Sequence, residues 1–376
     1  MTDRAGHPDA GPESWHDLGM GLLGRKADRS GSSQGDQRDV EEALAAIGVF
    51  WTWWSAVREQ IETELAEGGP SPERSAEITA HVAAIDKGLD WELSRPDTAR
   101  YQLVVTAGRI GELRSLAHRW AQAAPDHPGW SYLPVRPAVP AALDTTVVVE
   151  GARRISPADT EIAARVDQRR AVVDIIVYHP VFADLADAQA REQIVTLILN
   201  RLLGEDEVAR WIGQFEIATE RPLDGIPAGS LPAVMEQVSA RYAEPRWALL
   251  SGSTATGLPV VATIRFPLHQ VDYPLADQHV AVVLPYRDRT EQRLPTATAL
   301  DALNEFEERL LTITEPGAVL VGHETANGRR IMHVYQDATA PMAAAISDLA
   351  RGWRPGRASV AVTGDPGWTH IAHLRP

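Results

Sequence analysis

Ala318-Val-Leu-Val-Gly-His-Glu-Thr-Ala-Asn-Gly-Arg-Arg-Ile-Met-His-Val-Tyr-Gln336 is the stretch on which the fold of the C-terminal half turns. Asn327-Gly328 separates two strand-like runs, 318–325 and 330–336. A type I′ turn needs positive φ at both central residues, so this pair predicts a β-hairpin. Working outward, Leu300, Leu303, Phe306 and Leu310 recur at helical spacing behind Thr298, which is expected as the cap. Residues 279–286, with Val280, Val282 and Leu284 on one face, predict a strand, as do 247–251 and 260–266. The Gly/Thr-rich run 252–257 reads as the loop between the last two. A helix over 341–353 and a strand at the C-terminus complete an order containing β-α-β-β-α-β, that of a ferredoxin-like split βαβ sheet.

The N-terminal half reads similarly. Val40, Leu44, Ile47, Trp51, Trp54, Val57, Ile61 and Leu65 form one apolar helical stripe ended by Gly68, Gly69 and Pro70. A second helix is expected over 72–85. Strands are expected at 101–106, 130–135, 145–150, 171–178 and 212–218, with helices carrying Trp120 and Ile198 between them. Gly204 stands where a helix ends in positive φ. The fold class expected is α+β, two ferredoxin-like domains with a helical segment before the first. Residues 1–38 read as a disordered tail with one apolar stretch, Trp15 to Leu23. The N-terminal domain is placed at 39–220, a Pro/Gly-rich linker at 221–244 and the C-terminal domain at 245–376.

Composition narrows the function. A formal net charge of -15 argues against nucleic acid and anionic membrane as partners. Arg351, Arg354 and Arg357 are the one compact basic group. Cysteine is absent, which excludes disulfides, thiolate metal sites and a Cys nucleophile. The longest apolar runs are far shorter than the roughly 20 residues of a membrane span. No secretory signal is visible, so a soluble cytoplasmic protein is expected.

Catalytic signatures are missing. Gly108-Arg-Ile-Gly111 follows a strand but lacks the third glycine and the Lys-Ser/Thr of phosphate loops, so it reads as a tight turn. There is no Gly-x-Ser-x-Gly elbow. Glu205-Asp206-Glu207 reads as an exposed loop. His370 and His373, taken as strand residues three apart, would face opposite ways. His323 and His333 lie on the two arms of the hairpin. No metal site and no cofactor is therefore expected. With 11 tryptophans, aromatic residues supply the candidates for ligand or partner contact. These are Trp53, rotated about 100° from Trp54 on its helix, with Trp130, Trp211 and Trp368, together with the polar His179 and Glu205.

Several of these residues also carry a resemblance. Gly257-Leu-Pro259, Thr325-Ala-Asn-Gly328-Arg329, Tyr335 and Gly364-Asp-Pro-Gly-Trp368, in that order, resemble the bacterial domain of unknown function 695 family over about 245–376. Phe50-Trp51-Thr-Trp53-Trp54, Ala124-Pro125, Gly129-Trp130, Arg136-Pro137, Tyr178-His179-Pro180 and Leu203-Gly204-Glu205 are similar to the region that precedes it there. The layout is also loosely similar to RraB-type protein regulators of ribonuclease E, small acidic domains that act by binding. The resemblance implies no established activity. Two readings follow. One is a non-enzymatic binding or regulatory protein with a protein partner. The other is an enzyme or small-ligand binder with a site between the two domains, near Trp53, His179 and Glu205.

Overall fold

The computed structural model describes residues 32–94, 99–139, 142–144, 146–149, 153–244 and 246–375. Most of the expected tail, including Trp15 to Leu23, lies outside the described residues; helical backbone is already present from Ser32. The chain forms two compact units. One takes in Arg38–Glu244 with His269–Leu275, the other Pro245–Leu268 with Ala276–Pro376. Among the described residues, no helix is long and apolar enough to cross a membrane.

In the first unit, helix α1 (Ser32–Glu67) and helix α2 (Pro72–Ile85) precede strand β1 (Asp90–Ser94). Ser71 caps α2 by accepting from the Arg74 N–H, and Pro72 presets φ for the first turn. Strands β2 (Tyr101–Thr106) and β3 (Trp130–Leu133) run parallel, joined by helix α3 (Arg114–Gln122), and β1 adds antiparallel to β2. All six residues of β2 are buried, as expected of a central strand covered on both faces. The stripe of α1 meets this sheet through aromatic rings. Trp51 stacks on Trp120 at 4.8 Å, and Trp54 meets the Trp130 edge at 5.0 Å. The indole N–H of Trp51 donates to the Trp120 carbonyl, and that of Trp54 to the Tyr132 hydroxyl.

A second sheet in this unit holds strands β6 (Glu161–Asp167), β7 (Val172–Tyr178), β8 (Ile212–Ala218) and β9 (Ile226–Pro227), in the order β8-β7-β6-β9. Helices α4 (Ala188–Leu203) and α5 (Glu205–Trp211) carry the chain from β7 to its parallel neighbour β8. Between the two sheets in sequence, β4 (Val147–Val149) and β5 (Arg153–Ile155) form a separate hairpin. The single βαββαβ sheet expected for this half is therefore not what forms: its strands divide between two sheets. Strand pairing is a long-range choice: β1, whose Asp-Trp-Glu-Leu-Ser alternates, and β6 are not among the expected strands, and alternation by itself does not name a partner. Residues 221–244, expected as a linker, supply β9 and helix α6 (Leu231–Arg241), whose Leu231, Met235 and Val238 enter the core of the second sheet.

The second unit is built on one antiparallel sheet of six strands, ordered β10-β11-β13-β14-β12-β15. The strands are β10 (Arg246–Ser253), β11 (Pro259–Phe266), β12 (Ala276–Pro285), β13 (Ala318–Ala326), β14 (Arg329–Asp337) and β15 (Ser359–Gly364). Helices α7 (Ala297–Thr314) and α8 (Ala343–Arg351) connect them, so β12 to β15 follow β-α-β-β-α-β with a hairpin added at one edge. Asn327 and Gly328 take φ of 49° and 76°, the turn anticipated from the sequence. The cap of α7 is Thr296 rather than Thr298. Val280, Val282, Leu284, Leu320, Met332 and Val334 pack under the two helices.

A bulge in β13 determines what lies on the other face. Leu320 pairs with Val334, but the next partner of β14, His333, faces Gly322. The extra residue reverses the alternation, because side chains along a strand repeat every second residue. Leu320 points to the helices; Glu324, four residues on, joins His333 on the opposite face. Gly322 is required there, since a Cβ would sit 2.7 Å from the Thr263 carbonyl oxygen on β11.

Candidate functional site

The face of the six-stranded sheet away from the helices carries a buried polar network, covered by the C-terminal residues. From β12 comes His279, from β13 Glu324, from β14 His333 and Tyr335, all buried. His279 Nε2 lies 3.0 Å from His333 Nδ1, and His333 Nε2 lies 3.0 Å from Glu324 Oε1. The same carboxylate oxygen meets His373 Nε2 at 2.9 Å. A continuous hydrogen-bonded chain thus runs from His279 to His373.

A second carboxylate organises the covering segment. Asp365 follows β15 and lies four residues before the 3-10 turn Thr369–Leu374, whose first residue it holds. Its Oδ1 accepts from the Thr369 N–H and hydroxyl at 2.8 and 2.7 Å, and its Oδ2 accepts from the His370 N–H at 2.9 Å and the Tyr335 hydroxyl at 2.5 Å. The His370 ring, with Nδ1 3.0 Å from Asp365 Oδ2, stacks on His279 at 4.8 Å. Trp368 adopts a left-handed conformation, φ 55°, uncommon for a bulky residue. Burial holds it: the ring stacks on Tyr335 at 4.3 Å and its indole N–H donates to the Ala276 carbonyl at 2.6 Å.

The sequence placed His370 and His373 in a strand, where they would diverge. They lie in a 3-10 turn instead. With three residues per turn, positions i and i+3 share a side, so both rings approach the same sheet face. Their side chains keep 30% and 15% of their exposure, forming the rim of the network. His323, on the opposite face after the bulge, pairs with Glu307 of α7 at 3.1 Å, and Arg330 approaches the same carboxylate. Among the described residues, no group of three His, Asp or Glu is arranged to hold a metal ion.

The electrostatics follow from burial and these bonds. Burial, then the neighbouring His333 and His370, lowers His279 well below its usual 6.5. Burial alone would raise Glu324, but the bonds from His333 and His373 outweigh it and bring the carboxyl down to about 2. Asp365 is likewise held well below the ordinary range: burial opposes this, and the bonds from His370, Tyr335 and Thr369 outweigh it. Burial first, and Asp365 second, keep the Tyr335 phenol well above its usual value. Both carboxylates are thus strongly committed anions.

Of the six residues put forward from the sequence as ligand or partner contacts, Trp368 alone belongs to this network. Trp53 stacks on His81 of α2 at 4.2 Å beside the aromatic core, and Trp130, in that core, donates to Glu62. His179 caps the short turn after β7: its Nδ1 accepts from the Val181 N–H, and its Nε2 lies 3.1 Å from the Ser156 carbonyl. Trp211 donates to Glu207 and meets the His269 ring at 4.9 Å. Trp53, His179 and Glu205 share no hydrogen bond or ring contact. Glu205 opens α5 and is buried, not in an exposed loop. It accepts from the Thr106 hydroxyl, the Arg136 N–H and Arg136 Nη1, while Arg136 also reaches Asp90 and Glu92. This ion cluster ties the first sheet to the helices of the second. The sequence offers His333, His370 and His373 of the network only as scattered histidines; Glu324, Asp365 and His279 are not among its candidates, and the bulge and the 3-10 turn that bring them together leave no local signal.

One further feature of the second unit is its edge. Among the described residues β10 pairs with β11 alone. Trp247 and Leu249 remain 43% and 58% exposed, both on the helix side of the sheet because Leu249 pairs with Thr263 and Thr263 with His323. Arg265 covers one side of the Trp247 ring at 5.6 Å.

The fold and network define an α+β chain whose distinctive chemistry lies in the C-terminal sheet. Residues 247–372 match the model of a family described as "Family of unknown function (DUF695)". The matched segment holds β11 to β15, His279, Glu324, His333, Asp365 and His370, and ends just before His373; of the N-terminal unit it takes in His269–Leu275 alone. No curated protein and no solved structure matches the chain.

Proposed function

We propose that the protein is a binding or regulatory protein that acts through protein contacts rather than by catalysis, and that its contact surface is the open edge of β10. The carrying observation is the eight-residue strand with Trp247 and Leu249 exposed on one side. An extended segment of a partner laid along it would gain main-chain hydrogen bonds and bury alternate apolar side chains. Natural sheet edges are commonly blunted by charge, proline or bulges; from Trp247 to Ser253 this one has none. The state of the network supports a non-catalytic reading. Asp365 and Glu324 already accept several hydrogen bonds, and a carboxylate near 2 is a poor general base at neutral pH. The test is capture from host lysate with the full chain and with Leu249→Lys. A partner retained by the first and lost by the second is the expected result. Equal retention by both removes the edge from the proposal.

A second reading rests on one observation. The partly exposed rings of His370 and His373 each have one nitrogen against a buried carboxylate, an arrangement that orients both rings at the rim, where they could hydrogen-bond a small ligand. It would place the enzyme or small-ligand site within the C-terminal unit. A thermal shift induced by a host metabolite fraction and abolished in His370→Gln would favour it. The finer fold reading, a ferredoxin-like core in β12 to β15, and the cytoplasmic, cofactor-free character expected from the sequence belong to the same proposal.

A further inference from the structure

We infer that the partner strand at the β10 edge is β10 of a second copy of this chain. The inference rests on the edge-contact reading above and names its occupant. A two-fold axis perpendicular to the sheet preserves the two faces, so only residues of like parity can meet across it. The register centred on Leu249 satisfies this. Leu249 then faces its own copy, Trp247 faces Ser251, Ala248 faces Leu250, and Arg246 faces Gly252.

The side chains fit that register. Leu249 and Trp247, the exposed apolar residues of the strand, lie on one face and gather around the axis from both copies. Each indole stands opposite a serine, the smallest side chain on that face, which leaves room for the ring. Arg246 is the only charged residue of β10, and it meets glycine, so no like charges are opposed. That matters for a chain of net charge -15, in which most surfaces of two copies repel. The result is a continuous antiparallel sheet across two chains with no unpaired strand at the join.

The absence of cysteine allows a direct test in the full-length protein. In Leu249→Cys the two introduced thiols face each other at the axis, within the Cα separation of about 7 Å or less that a disulfide requires. In Ser251→Cys they are offset by four residues, roughly 13 Å along the strand at ~3.3 Å per residue. Mild oxidation is expected to crosslink the first variant and not the second. Light scattering is expected to give twice the chain mass for the wild type and a single chain mass for Leu249→Lys, with unchanged circular dichroism. Equal crosslinking of both cysteine variants, or a single chain mass for the wild type, overturns the inference. A monomeric Leu249→Cys variant whose introduced thiol resists a maleimide probe would assign the edge to the chain's own residues 1–31. A monomer that still loses a captured protein in Leu249→Lys would leave the edge reading standing and this inference refuted.

Discussion

Gly322 and Glu205 show how single residues constrain this molecule. At Gly322 the bulge brings β13 so near β11 that a methyl group has no room: the Thr263 oxygen lies 2.7 Å from where it would sit. Gly322→Ala is expected to lower stability by about 2 kcal/mol, within the usual range for overpacking a tight interior. Urea unfolding with an earlier midpoint and unchanged slope would show it. Glu205 is a buried anion with three donors, and Arg136 is a cation that depends on it. Removing the carboxylate strands part of that cation and the Thr106 hydroxyl. Glu205→Ala is expected to cost about 3 kcal/mol, the scale at which breaking a buried pair is felt. A loss below ~1 kcal/mol would mean that Asp90 and Glu92 suffice for Arg136. Neither role is written in the local sequence. A glycine before His-Glu and a glutamate after Leu-Gly look ordinary until a neighbouring strand or a distant arginine is placed beside them.

At the scale of elements, the C-terminal turn and the three strands beneath it respond to pH as a group. His279 has its folded value depressed below 6.5, so the unfolded chain binds more protons below that pH. Its contribution to stability is therefore complete above about 6.5 and is lost as pH falls. Glu324 and Asp365 are depressed as well, so a second loss begins below their ordinary values of 4.5 and 3.8 and, for Glu324, continues to about 2. Denaturant midpoints measured across pH 8 to about 4 should decline most steeply below 6.5. Because burial also lowers His118 in α3, to about 4, and His81 in α2, the decline has three sources. Replacing His279 with Gln should flatten it in part; an unaltered slope would assign the whole effect to His118 and His81. Backbone hydrogen exchange at residues 369–374 should quicken in the same range if the network anchors the turn. The strand residues of this network were readable as strand, and the hairpin turn was readable outright. The 3-10 turn was not, because Thr369–Leu374 lacks a period that distinguishes it from a strand, and that choice decides whether His370 and His373 diverge or converge.

For the whole molecule, the division into two units is not a single cut. His269–Leu275 leaves the C-terminal sheet between β11 and β12 and belongs with the N-terminal unit. There Asp272 pairs with Arg210 at 2.8 Å and the His269 ring lies against Trp211. A fragment ending at residue 244 loses this cover. It is expected to unfold about 1 to 2 kcal/mol more easily than the same unit in the intact chain, mostly through the uncovered indole, since a half-exposed ion pair contributes little. Fluorescence-monitored unfolding of fragment and full chain would measure the difference.

What the amino-acid order determined by itself was local. It set the apolar stripe of α1, the Asn327-Gly328 turn, the prolines and glycines that end helices, and the match of residues 247–372 to a family model. It also set what the chain lacks, thiols above all. Tertiary structure alone decided that the N-terminal strands divide between two sheets, that a bulge turns Glu324 to His333, and that the last residues fold back over them. The physical reason is range. Caps, turns and periodicity are satisfied by neighbours in sequence, whereas strand partners and buried hydrogen bonds join residues up to about a hundred positions apart, such as Thr106 and Glu205, and only the assembled core selects among them.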